Sequence, residues 1–182
     1  MSALSPLVAT EFCKLCNWAY ECWLNHRELF DENPRASELQ QSHASHAFER
    51  LSIISHEYVL LQIAKLHDNA VVAGQVTLSV DYVLRYGGWD PVTQDQLNAI
   101  AVQMDHFQKN LRSVRNRLLS HNDLSAVVSG SPLGDFQPED DNKYFAALQE
   151  FVNLVYDRTI GGPYPFNDLV KNEVADFLAQ LK

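Results

Sequence analysis

Apolar residues recur every three to four positions along nearly the whole chain, and no run alternates strictly for long enough to predict a sheet. A first helix is expected from Pro6 to about Phe30, with Ser5 as its cap, Pro6 in its first turn and "DENPRAS" as its stop. A second, from roughly Ser42 to His67, places Phe48, Leu51, Ile54, Tyr58, Leu61 and Ala64 at the spacing of one buried face. "HDNAVVAG" interrupts it. A shorter helix, about Val76 to Tyr86, meets the breaker "GGWDP". The next starts at Asp90-Pro91, or at Thr93 with Gln96 completing a capping box, and runs for about 28 residues into "RNRLLSHND", residues 115–123.

Beyond it, "SGSPLGDFQPEDD" carries Gly130, Pro132, Gly134 and Pro138 and reads as a loop. Its acidic end, Glu139, Asp140 and Asp141, suits the first turn of a helix reaching Ile160, because carboxylates favour the positive end of the helix dipole. "GGPYPF" ends that helix, and Asn167 to Leu181 supplies a short amphipathic one. The pattern predicts an all-α protein: an antiparallel bundle of four main helices plus one or two short ones, spanning residues 1–182 as a single domain.

With 46% hydrophobic residues, a chain of 182 can bury a substantial core. No stretch reaches the roughly 18 uninterrupted apolar residues of a membrane span, and "MSALSPLVATEF" has neither the basic start nor the cleavage pattern of a signal peptide. A cytoplasmic location without membrane association is expected. The formal charge of −9 argues against coating DNA, since polyanions reward cationic surfaces through counterion release. Any nucleic-acid site must therefore be local.

Cys13, Cys16, Cys22 and His26 are residue types that zinc accepts. On a continuous helix, however, Cys13 and His26 sit about 20 Å apart, whereas zinc holds its ligands within about 2.3 Å. No Gly or Pro breaks the stretch, so reduced thiols packed beside Trp18 and Trp23 are expected, with no metal. His43 and His46 read as a solvated helix start, and His56 and His67 show no convergent ligand partners in the sequence.

The dense positive segment is different. Lys109, Arg112, Arg115 and Arg117 supply four of the 14 Lys and Arg, with no acidic residue between Asp105 and Asp123. Phe107, Leu111, Val114 and Leu118 follow core spacing, and His121 falls three residues further along the same line. Cations near a helix C-terminus complement its dipole, which accounts for one or two of them but not for a histidine and an asparagine as well. On a straight helix Arg115 and His121 lie roughly 120° apart in azimuth and about 9 Å along the axis, able to line one cleft without touching.

Arg115-Asn116, four further residues and His121 form an R-x(5)-H pattern with a polar residue directly after the arginine. This resembles the HEPN superfamily of small helical bundles, and "RNRLLSHND" is most similar to its abortive-infection branch. "IAKLHDNAVVAGQVTLSVDYVL", residues 63–84, also resembles that branch, where a helix ends in a Leu-x-Asp-like element before a short Ser-Leu-rich helix. The resemblance covers about residues 45–125.

It implies a metal-independent endoribonuclease of phage-defence or toxin type. Two copies would face each other as a homodimer, joining their motifs in one composite site without any cofactor. Arg115, Asn116 and His121 would be catalytic, and Lys109, Arg112 and Arg117 would bind RNA phosphates at the rim. A cognate antitoxin is a further implied partner, although the tyrosine that some HEPN toxins carry shortly after the histidine is absent from His121-Asn122-Asp123. Two other readings share these residues: a non-catalytic module that binds nucleotide or RNA or only dimerises, and a helical interaction module in which His121 is a packed residue.

Overall fold

The computed structural model describes residues 4–41, 45–114, 128 and 136–180. Among these the protein is an all-α bundle with one small hairpin, as the periodicity predicts. The helices are α1 (Pro6–His26), α2 (Ala36–Gln41), α3 (Ser45–Leu66), α4 (Val80–Tyr86), α5 (Pro91–Val114), α6 (Asp140–Thr159) and α7 (Val170–Gln180). A π-helical turn, Arg27–Asp31, extends α1, and the strands are β1 (Val71–Val72) and β2 (Gln75–Val76). None of the described helices is long and apolar enough to cross a membrane.

The chain divides into two compact units, with both α1 and α3 contributing residues to each. The first comprises Met1–Cys16 and Ile63–Pro165. Its centre is the seam between α5 and α6, where Leu97, Met104, Phe107 and Leu111 from α5 are buried, as are Tyr144, Leu148, Phe151 and Val155 from α6. Phe12 of α1 meets Phe151 edge to face with ring centroids 6.0 Å apart, a favoured aromatic arrangement.

Local chemistry sets the ends of these helices. Asp90 starts α5: its Oδ1 accepts the Val92 and Thr93 backbone N–H groups at 3.1 Å, and its Oδ2 accepts the Thr93 hydroxyl at 2.6 Å. Of the two starts open in the sequence, the aspartate is the one used. Ser79 caps α4 by accepting the Tyr82 N–H at 3.2 Å, so that helix begins later than periodicity suggests. Residues 71–74 belong to "HDNAVVAG", where only a helix interruption is expected, and Val76 is the expected start of the next helix. Residues 71–76 form a hairpin instead, turning through Ala73 at φ 50° and Gly74 at φ 83°, the two left-handed positions of a tight two-residue turn. Two residues per strand are too few to leave an alternation signal.

"GGWDP" breaks the chain through a specific contact. The Trp89 indole N–H donates to the Val83 carbonyl at 2.9 Å at the end of α4, and the ring lies over Gly87. A Cβ on Gly87 would fall 2.0 Å from the indole nitrogen.

The second unit comprises Asn17–Gln62 and Phe166–Lys182. Trp23 is buried with the Arg27 guanidinium 4.7 Å from its ring centroid, and Tyr20 stacks on Phe166 at 5.0 Å. "DENPRAS" ends the first helix as expected but also starts another. The buried Asn33 accepts the Arg35 N–H at 2.9 Å and donates to the Leu29 carbonyl at 3.0 Å, a local turn from which α2 departs. Arg35 also reaches the Leu178 carbonyl of α7 at 3.0 Å.

On α3 the expected buried face is corrected. Ala64 is buried and Phe48 and Leu61 are half-buried as expected, but Leu51, Ile54 and Tyr58 are exposed, while Ser52 and Ser55 are half-buried and Val59 is buried. Ser52, Ser55 and Val59 each lie one residue beyond Leu51, Ile54 and Tyr58, about 100° further round the helix.

Gly87→Ala is expected to destabilise the protein by about 1–3 kcal/mol, because the added methyl displaces the Trp89 ring and breaks its bond to Val83. Urea unfolding followed by tryptophan fluorescence would measure this; an unchanged midpoint would show that the close approach is dispensable.

Candidate functional site

The basic segment begins on the last two turns of α5. Phe107, Leu111 and Val114 of its predicted core stripe are all buried, whereas Arg112 and Lys109 are exposed. The apolar stripe therefore faces α6 and the cations face solvent, the division that the spacing predicts. Lys109 Nζ lies 3.1 Å from Asp105 Oδ2, an exposed pair one helical turn apart, so its charge is partly answered within the helix. Arg115, Asn116, Arg117 and His121, together with Leu118 of the core stripe, lie outside the described residues.

The described residues show what holds the helix leading into that segment. The Phe107 ring stacks on Tyr144 of α6 with centroids 4.9 Å apart and also contacts Phe136 at 4.8 Å. Near the start of α6, His106 Nδ1 approaches Asp140 Oδ2 at 3.7 Å, an ion pair when the histidine is protonated. The same carboxylate oxygen accepts the Gln137 backbone N–H at 2.9 Å. The acidic first turn expected for α6 is present, with Asp140 and Asp141, while Glu139 precedes it in a left-handed conformation at φ 69°.

Beneath this seam lies a polar pair to which the sequence assigned no role. His67 Nε2 and the Tyr144 hydroxyl are 2.8 Å apart, and Tyr144 is fully buried. Burial lowers the His67 pKa to about 4, with Asp105 opposing that shift, and burial raises the Tyr144 phenol well above its usual range. At neutral pH both groups are uncharged, and the phenol and Nε2 share one hydrogen bond whose donor is set by the histidine tautomer. No local spacing could reveal the pair, because its members stand 77 residues apart.

The cysteines are also clear. Cys13 and Cys16 are buried and Cys22 is half-buried, all as free thiols. Burial pushes the Cys13 pKa up to about 12, Cys22 to about 11 and Cys16 well above the ordinary thiol value. A protonated thiol is a poor metal ligand and a poor nucleophile, and the burial of Cys13 and Cys16 fits the packing role expected of them. Among the described residues, no three His, Cys, Asp or Glu side chains converge as a metal site.

Comparison with known proteins places almost the whole chain within one family. The model HEPN_AbiU2, described as AbiU2, matches residues 3–178. No curated protein and no solved structure matches the chain.

The His67–Tyr144 pair has a measurable signature. In the unfolded chain a histidine takes its proton near pH 6.5, whereas folded His67 resists it until about pH 4. Between those values the unfolded state binds more protons. This contribution to stability is therefore complete above about pH 6.5 and is lost as the pH falls toward 4. Urea midpoints measured from pH 7.5 to 4.5 are expected to drop through this window. His26, whose pKa burial also lowers, adds a slope of the same sign, so the comparison that counts is with His67→Gln, which should fall less steeply. Parallel profiles would show that His67 titrates normally.

Proposed function

Because this chain belongs to the AbiU2 family of HEPN proteins, we propose that it is a metal-independent endoribonuclease of the phage-defence type, acting as a homodimer. The observation that carries the reading is the R-x(5)-H pattern of Arg115 and His121, with Asn116 beside the arginine, directly after the last described turn of α5. The composite site forms where two copies of this segment meet. Positive charge doubled in this way creates a local groove despite the net charge of −9. Four cations per copy near a two-fold axis are costly without an anion, so the groove is wet or filled by RNA phosphate.

In this mechanism His121 takes the proton of a ribose 2′-hydroxyl, and the 2′-oxygen attacks the adjacent phosphorus. The bond from phosphorus to the 5′-oxygen breaks, that oxygen gains a proton, and the products are a 2′,3′-cyclic phosphate and a 5′-hydroxyl. A histidine suits both proton movements, because its reference pKa of about 6.5 lies close to neutral pH. Arg115 holds the phosphate oxygens through its fork of donors as negative charge builds, and Asn116 orients the other two by hydrogen bonding. Arg112, Arg117 and Lys109 form the rim, with Lys109 exchanging its Asp105 partner for phosphate when RNA arrives. A cognate antitoxin would act by covering this groove.

A cleavage assay on mixed-sequence RNA in EDTA tests the reading. Wild type is expected to release 2′,3′-cyclic phosphate ends, and His121→Ala to lose at least about a hundredfold in rate, the usual worth of a general base, while remaining folded. Cleavage persisting in His121→Ala would sink the assignment of that residue. If neither protein cuts but both bind nucleotide, the family fold serves here as a binding module.

A further inference from the structure

The second unit contains a cavity of about 320 Å³ formed by the second half of α1, the middle of α3 and the start of α7. Its walls include Trp18, Glu21 and Asn25 from α1, Ser55 and Tyr58 from α3, and Val170 from α7. The volume is at the lower end of small-molecule sites, which combine apolar walls with a few placed polar groups.

Two features of the lining select the chemistry of an occupant. Trp18 is left 47% exposed and Tyr58 43% exposed, two large aromatic surfaces that the described chain does not cover. Ring faces carry negative quadrupole potential and attract cations. The second feature is Glu21, the charged group of the lining, with no Lys, Arg or His among the described residues that form the cavity. Its carboxylate is held in place. Asn17 donates from Nδ2 to Glu21 Oε1 at 3.0 Å, and Asn17 Oδ1 accepts the Asn167 backbone N–H at 2.7 Å. That relay runs from the segment preceding α7, through α1, to the cavity wall, fixing the acid before any ligand arrives.

We propose that this cavity binds a small organic cation, an ammonium or guanidinium group on a short aliphatic stem, with the charge held by Glu21 and by the aromatic walls Trp18 and Tyr58. Asn25 and Ser55 add neutral hydrogen-bonding groups for the remaining N–H donors. Anions are disfavoured by Glu21, and the overall charge of −9 enriches cations around the protein. Cys22 also lines the cavity as a small, weakly polar wall. This site is independent of the R-x(5)-H reading and holds whether or not RNA is cleaved.

The test uses the full chain and four probes of matched size at constant ionic strength: n-butylamine, n-butylguanidinium, 1-butanol and butyrate. Binding is followed by calorimetry and by tryptophan fluorescence. Both cations are expected to bind at least about tenfold more tightly than the alcohol, with butyrate weakest. Glu21→Gln should erase the cation advantage while leaving the affinity for butanol unchanged. Trp18→Phe should remove the fluorescence response while calorimetry still detects the cations. Ser55→Leu, which fills the cavity from α3, should block all the probes and serves in place of Glu21→Gln if that variant does not fold. Equal affinity for cation and alcohol, absence of binding by every probe, or a cation preference that survives in Glu21→Gln or Ser55→Leu would overturn the proposal.

Discussion

The seam between α5 and α6 is the interaction on which the first unit depends. Aromatic packing concentrates at its end, where Tyr144 stacks on Phe107 and meets Phe145 nearly at right angles, while its hydroxyl reaches His67. A tyrosine buried this completely would leave its hydroxyl unsatisfied without that histidine, and an unpaired buried polar group costs more than the bond itself returns. The pair thus couples the segment just after α3 to the start of α6. Because Phe107 belongs to the last two turns of α5, the same cluster fixes the helix from which the basic segment continues.

Electrostatics divides the chain into two unlike regions of interest. The basic segment stands out against an acidic background, and its described cations, Lys109 and Arg112, lie on the solvent side of a helix whose other side is fully committed to packing. That arrangement lets charge be displayed without being buried, and charge is what an RNA backbone recognises first. The cavity of the second unit has the opposite character: one oriented carboxylate, aromatic walls and no cation among its described lining residues. A phosphate-bearing ligand suits the first region and a positively charged one the second.

Much of the fold was legible along the chain because helices declare themselves locally. The core stripe of Phe107, Leu111 and Val114, the acidic first turn of α6 and the stop at "GGWDP" each follow from a few neighbouring residues. Failures occurred where the signal was short or where two answers shared one period. Two-residue strands show no alternation, α2 depends on a turn made by Asn33, and α3 offers adjacent stripes of similar spacing. The candidate site, Arg115, Asn116 and His121, is read from spacing and residue type alone, because these residues lie outside those the structure describes.

The sequence by itself determined the all-α class, most helix boundaries, the local basic segment and the family to which the chain belongs, because these depend on residues close together in the chain. Tertiary structure alone decided that Tyr144 pairs with His67, that Ser52 and Ser55 of α3 are half-buried while Leu51, Ile54 and Tyr58 remain exposed, and that Glu21 is oriented from Asn167 through Asn17. Each depends on partners brought together from distant positions, and burial, rather than residue identity, then sets the hydrogen bonding and the protonation state.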